Sequence, residues 1–128
     1  MTSAGLIRTV WSIRVFRLLT WCCVISLAVL TLLPKEEMAR TGLPARLEHV
    51  IAYAGSAAVA TAAYRCRWTA VRVVGSFWVY AGILEYLQQL SPGRHAAVED
   101  VAAGALGALL GGLAITVLGA RFARLLPR

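Results

Sequence analysis

Charge is scarce in this sequence. Only 15% of its 128 residues are charged and 59% are hydrophobic, against about 25% and roughly 45–50% in an ordinary soluble domain. That composition excludes a typical water-soluble globule, and the length leaves room for one domain without a separate catalytic module. Acids are scarcest: 6 Asp+Glu against 13 Lys+Arg leave a net charge of +7. Such an excess points to nucleic acid or to an anionic membrane surface. A nucleic-acid module carries its basic residues on a solvated polar face, and a mean hydropathy of +0.71 leaves too little polar surface for one. The bilayer is the expected partner, and nucleic acid is not. Three cysteines form no disulfide framework; Cys22 and Cys23 are adjacent and Cys66 is remote, which matches no zinc-ligand spacing. Neither a metal nor a cofactor is expected. Lys35 is the only lysine. No P-loop, HExxH or GxSxG motif occurs, and Ser91, His95, Glu99 and Asp100 within one short loop make no triad.

What is present is a set of four apolar runs, at 15–33, 47–64, 71–90 and 100–120, each close to the roughly 20 residues that cross about 30 Å of hydrocarbon. The first could be read as a signal peptide, with Ser26-Leu27-Ala28 as a small-x-small site, but its apolar run continues past that point without a polar break. The second is built largely of Ala, Gly and Ser, which favours close helix packing over lipid contact. Short connections make sequential runs antiparallel neighbours. The expected fold is all-α, a single four-helix integral membrane bundle over 1–128. Arg8, Arg14, Arg17, Arg65, Arg67, Arg72, Arg121, Arg124 and Arg128 fall on one side without an acid. Lys35, Arg40, Arg46 and Arg94 share the other with Glu36, Glu37, Glu48, Glu99 and Asp100. The positive-inside rule then places both termini in the cytoplasm and the first and third connections outside.

Glu85 is the most informative single residue, because an acid within a membrane helix costs roughly 2.5–3.5 kcal/mol on insertion scales and requires compensation. It would lie about 7–8 Å below the outer end of its run, with Gln88 and Gln89 extending the polar face outward. Packing glue between helices is the alternative role. His49 starts the second run, with Glu48 beside it and Tyr53 one turn deeper; an interfacial histidine and an aromatic-belt tyrosine are the plainer readings. Pro92-Gly93 specifies a tight turn, and Asp100 is placed to cap the next helix and favour its dipole. Arg94 has three roles open to it: bridging Glu99 or Asp100, forking onto a phosphate or carboxylate, or serving as counter-ion to Glu85. Gly107-x-x-x-Gly111 would let another helix approach closely, within the chain in preference to between chains.

Glu48-His49-Val50-Ile51-Ala52-Tyr53, Glu85-x-x-Gln88, Pro92-Gly93-Arg94, Asp100 and Gly107 form an ordered set over about half the chain. As a set they resemble the VanZ-like family of small bacterial polytopic membrane proteins. The departures are Ala45 and Arg46, where many members carry an Asp-Lys pair, and Gly104, where many carry Asn. A mechanism needing those side chains would not transfer. The resemblance implies an envelope function in the bacterial cytoplasmic membrane, in a family associated with low-level teicoplanin resistance, and it supplies no reaction. The expected site is the cluster His49, Tyr53, Glu85, Gln88, Arg94 and Asp100 at the outer face, binding an anionic lipid headgroup or cell-envelope intermediate. Two alternatives stand beside it. One is an enzyme acting on a lipid-linked substrate, with His49 or Glu85 as base; the other is a structural or accessory subunit.

Overall fold

The computed structural model of the chain describes residues 3–34, 36–37, 42–64 and 67–125. The positions expected for Lys35, Arg40, Arg65, Cys66 and Arg128 lie outside the described residues. Four helices follow in order: α1 (Ser3–Leu32), α2 (Ala45–Tyr64), α3 (Arg67–Gln88) and α4 (Val98–Leu125). The described residues contain no strand. Their boundaries follow local chemistry. The last helical donor of α1 is the Leu33 amide, on the Val29 carbonyl at 3.0 Å, and Pro34 has no amide with which to continue. Before α2, the Pro44 carbonyl accepts from Leu47 at 2.9 Å and from Glu48 at 3.2 Å. α3 ends at Gln88, two residues short of the expected limit. There the amides of Gln89, Leu90 and Ser91 turn back to carbonyls three residues earlier, the tighter winding usual at a helix end. The Pro92-Gly93 turn forms as its residue types require: the Arg94 amide donates to the Ser91 carbonyl at 3.2 Å, and Gly93 has a φ of 73°, which a type II turn needs at its third position.

α2 touches each of the other three helices, α3 does likewise, and α1 and α4 lie on opposite sides of this central pair. The seam between α2 and α4 is built of glycine. A Cβ at Gly107 would run into the Val50 carbonyl oxygen, and one at Gly111 into that of Ala54. The Gly107-x-x-x-Gly111 pair therefore packs backbone on backbone within this chain. The core around it is small and aromatic: Tyr53, Ala57, Ala60, Phe77, Ala81, Leu84 and Ala108 are all buried. Tyr53 meets Phe77 edge-on at 6.2 Å, and Phe77 meets Tyr80 at 6.5 Å.

Large apolar side chains lie on the outside instead. Leu18, Trp21 and Ile25 of α1, Val71, Val79 and Ile83 of α3, and Leu110, Leu113 and Leu118 of α4 are exposed. Small residues within and large aliphatic ones without is the arrangement that lipid selects, since tails are as apolar as leucine and give helices no hydrophobic reason to hide it. Three helices contain segments long and apolar enough to cross a membrane, Ile13–Leu32, Ala70–Gln88 and Val98–Arg121. α2, at 20 residues, is as long as the first of these but is less apolar. Several hydroxyls are satisfied on their own helix, as an apolar surrounding favours, whereas the buried Thr61 Oγ1 has no partner among the described residues. Thr20 donates to the Phe16 carbonyl at 2.8 Å, Ser56 to Ala52 at 2.7 Å and Thr116 to Gly112 at 2.8 Å. Among the described residues, bonds between helices include the Tyr80 hydroxyl donating to the Val24 carbonyl at 2.7 Å and Trp78 Nε1 to the Ala105 carbonyl at 2.9 Å.

Candidate functional site

With antiparallel neighbours, the C-terminal ends of α1 and α3 and the N-terminal ends of α2 and α4 share one end of the bundle. All six residues expected to form a site lie there. Glu85, 4% exposed, is the anchor. Its Oε1 accepts the Ala97 amide at 2.8 Å. With its amide turned so that oxygen meets donors and nitrogen meets acceptors, Gln88 donates to Glu85 Oε2 at 3.1 Å. The same amide's oxygen accepts from Arg94 Nη2 at 3.0 Å and from Nε at 2.6 Å. The Glu85 carboxylate is thereby linked to the Arg94 guanidinium through one buried amide. Of the three roles open to Arg94, this geometry realises the counter-ion, one residue removed. Arg94 Nη1 also donates to the Leu33 carbonyl at 3.3 Å, and Ser91 Oγ to the Leu32 carbonyl at 2.6 Å. The connection between α3 and α4 thus covers the carbonyls that α1 leaves unpaired at its end.

The position of Asp100 requires a correction. It does not cap α4, because the helix begins earlier than its sequence position suggests. The Ala97 carbonyl accepts from Asp100 at 3.0 Å and from Val101 at 3.4 Å, which makes Ala97 the cap residue and places Asp100 in the first turn. In a capping box an acid at that third position would take the cap residue's own amide. Here Glu85 has already taken it from another helix, and the Asp100 carboxylate accepts no hydrogen bond among the described residues. It still meets the positive end of the α4 dipole, as expected.

His49 Nδ1 lies 2.9 Å from the Ala45 carbonyl. A carbonyl can only accept, so Nδ1 carries a proton, and in the neutral ring Nε2 is then the nitrogen with the lone pair. The imidazole stacks on Tyr53, with ring centroids 6.4 Å apart and planes 9° from parallel. One ligand-type atom each of His49, Glu85 and Asp100 lie within 4.8 Å of one another. The spacing rules that found no metal pattern could not register this, because the three residues come from three helices. Beside the cluster a cavity of about 310 Å³ is lined by polar residues, among them His49, Tyr53 and Arg94, and by apolar ones, among them Leu27, Leu30 and Ile51. A second cavity, of about 420 Å³, lies between α3 and α4 against Val71, Trp78 and Leu113; it presents almost nothing but hydrocarbon and offers no chemistry.

The structure therefore brings together His49, Tyr53, Glu85, Gln88, Arg94 and Asp100. His95 is exposed. Ser91 is committed to the α1 end by its bond to Leu32. What the sequence reading missed are partners with no side-chain signature, namely the Ala97 amide and the carbonyls of Ala45, Leu32 and Leu33. It also missed Thr31, a buried hydroxyl lining the cavity, whose polar type within a long apolar run was the available signal. Comparison of the chain with protein-family models, with curated proteins and with solved structures returns no match.

Proposed function

We propose that this chain is a VanZ-like protein of the bacterial cytoplasmic membrane in which all four helices cross the bilayer, both termini are cytoplasmic, and the polar end of the bundle binds an anionic headgroup at the outer face. The observation that carries this reading is the cavity of about 310 Å³ lined both by Arg94, His49 and Tyr53 and by Leu27, Leu30 and Ile51. A ligand matching both kinds of lining is an amphiphile. Its phosphate or carboxylate is drawn by the positive charge of Arg94, whose fork is already held by Gln88 and Leu33, and its chain lies along the leucines. A lipid or lipid-linked envelope intermediate has that form.

Crossing by α2 is supported by its 20 residues, which at 1.5 Å each extend about 30 Å, and by its position between the other helices. A helix shielded by neighbours does not need the hydropathy of one facing lipid. The orientation rests on the segregation of nine basic residues from all six acids along the sequence.

The test is native mass spectrometry of lipids co-purifying with the wild type and with Arg94→Ala. The expected result is a specific anionic lipid retained by the first and lost from the second. The same bulk phospholipid on both proteins would refute the binding reading.

A further inference from the structure

We infer that His49, Glu85 and Asp100 form a binding site for one divalent transition ion of the manganese-to-zinc range, where α2, α3 and α4 meet. This goes beyond the headgroup reading and does not depend on it. The three donors come from three helices, and their ligand-type atoms lie within 4.8 Å of one another. Metal–ligand distances of about 2.0–2.2 Å put tetrahedral neighbours about 3.4 Å apart, so the widest pair has to close by little more than about 1 Å. His49 and Asp100 are only half-buried and have the freedom to make that movement.

The groups around the donors are arranged as those around a metal site are. A ligating imidazole commonly donates its other N–H to a carbonyl, which fixes the tautomer, and ligating carboxylates are themselves hydrogen-bonded. His49 gives its Nδ1 proton to the Ala45 carbonyl, leaving Nε2 to ligate. Glu85 is held by the Ala97 amide on Oε1 and by Gln88 on Oε2, and each oxygen keeps a lone pair. Asp100 sits at the position where a capping box would occupy it, and the amide it would take is already bound. Tyr53 supplies an independent sign. It is 2% exposed, stacks on His49, and its hydroxyl has no hydrogen-bond partner among the described residues while it lines the cavity. A hydroxyl that opens into the cavity has a use if a ligand or a metal-bound water stands beside it.

Charge gives a further reason. Two carboxylates this close, one of them buried, repel each other in a low dielectric. Arg94 offsets one negative charge through Gln88, and a divalent ion would bring the group to a formal +1, which attracts an anion. The donor set selects the class of ion. One imidazole and two carboxylates suit Zn²⁺, Mn²⁺ or Fe²⁺; the imidazole disfavours Ca²⁺ and Mg²⁺, and the absence of a thiolate from the set disfavours Cu⁺. Three protein ligands leave a coordination position open, and the adjoining cavity is where it would face.

The test uses the full chain in detergent micelles, stripped with a chelator and titrated with Zn²⁺, Mn²⁺ or Ca²⁺ by calorimetry, with bound metal counted by mass spectrometry. The expected result is one Zn²⁺ or Mn²⁺ per chain, with Ca²⁺ far weaker, and at least tenfold weaker Zn²⁺ binding in both His49→Asn and Asp100→Asn. Absence of micromolar binding in the wild type, or an unchanged affinity in either variant, would overturn the assignment. X-ray absorption at the zinc edge of the wild type needs no variant to fold. A shell of nitrogen and oxygen supports the site, and a sulfur ligand refutes it. Loss of lipid retention in Arg94→Ala with no metal on the wild type would leave the headgroup reading standing and remove this one.

Discussion

The glycine seam between α2 and α4 gives opposite signs to the same substitution. Replacing a helical glycine by alanine ordinarily stabilises by about 0.5–1 kcal/mol, because the backbone of the unfolded chain loses freedom. Gly55 of α2 and Gly82 of α3 have nothing within 4 Å of an added Cβ, so Gly55→Ala and Gly82→Ala should be neutral or stabilising by that amount. At Gly111 the added carbon would overlap the Ala54 carbonyl oxygen and lie 2.8 Å from its carbon and 3.0 Å from Ala54 Cα, where carbon atoms rest at about 3.5–4.0 Å. The obstruction is backbone, which cannot rotate away as a side chain can, so the helices must separate by about 1 Å. A gap of that size forfeits a quarter to a half of each contact along the seam. Overpacking costs about 1–3 kcal/mol, and here the upper part of that range applies. Net of the helix gain, Gly111→Ala should lose about 2 kcal/mol, which separates it from Gly55→Ala by about two powers of ten in the folded-to-unfolded ratio. Reversible unfolding in mixed micelles, with increasing SDS and helix content read by circular dichroism, measures the difference. If Gly111→Ala unfolds at the same SDS fraction as Gly55→Ala, α2 and α4 do not meet at this seam.

The Tyr80 hydroxyl reaches the Val24 carbonyl across the boundary between α3 and α1. Tyr80→Phe should therefore lose about 0.5–1.5 kcal/mol in the same assay, and no loss would mean that the bond is not made. With Cys22, Cys23 and Cys66 replaced by serine, a single cysteine at Ala97 should react with an impermeant thiol reagent on intact spheroplasts, while one at Thr69 should react only after lysis. The reverse pattern would place the polar end in the cytoplasm.

The parts of this fold legible in the sequence are those where a local rule acts alone. Pro34 stops α1, Pro92-Gly93 makes its turn, and Gly107 with Gly111 marks a close approach. Each depends on the steric demand of one residue type. Membership of the site was legible for a different reason: in an apolar chain every polar side chain is conspicuous, and antiparallel topology sends Glu85, His49 and Asp100 to the same end. Their contacts were not legible. Asp100 has the right residue type for capping, but the helix starts earlier, with its cap at Ala97, and the acid that binds the Ala97 amide comes from α3. Competition between two acids for one donor is decided by packing, and helical spacing within α4 carries no trace of it. The metal-like convergence escaped spacing rules for the same reason.

At this end of the bundle, the contacts that hold the helix ends and the proposed site share side chains. Helix termini leave amides and carbonyls without intrahelical partners, and in an apolar environment each must be satisfied by another part of the protein. Ser91 and Arg94 satisfy carbonyls of α1, and Glu85 satisfies the amide of the residue that caps α4. A substitution at any of these three therefore releases a helix end as well as altering the charge of the site, so a lost activity there, the lipid loss expected of Arg94→Ala included, distinguishes the two only when the variant's unfolding is measured beside it. His49 and Asp100 differ: the first bonds only within its own helix, and the carboxylate of the second holds no other element in place. Variants at these two positions should keep the bundle's stability while changing what the site binds. They separate a binding or catalytic role from a structural one, which variants of the more conspicuous Glu85 cannot do.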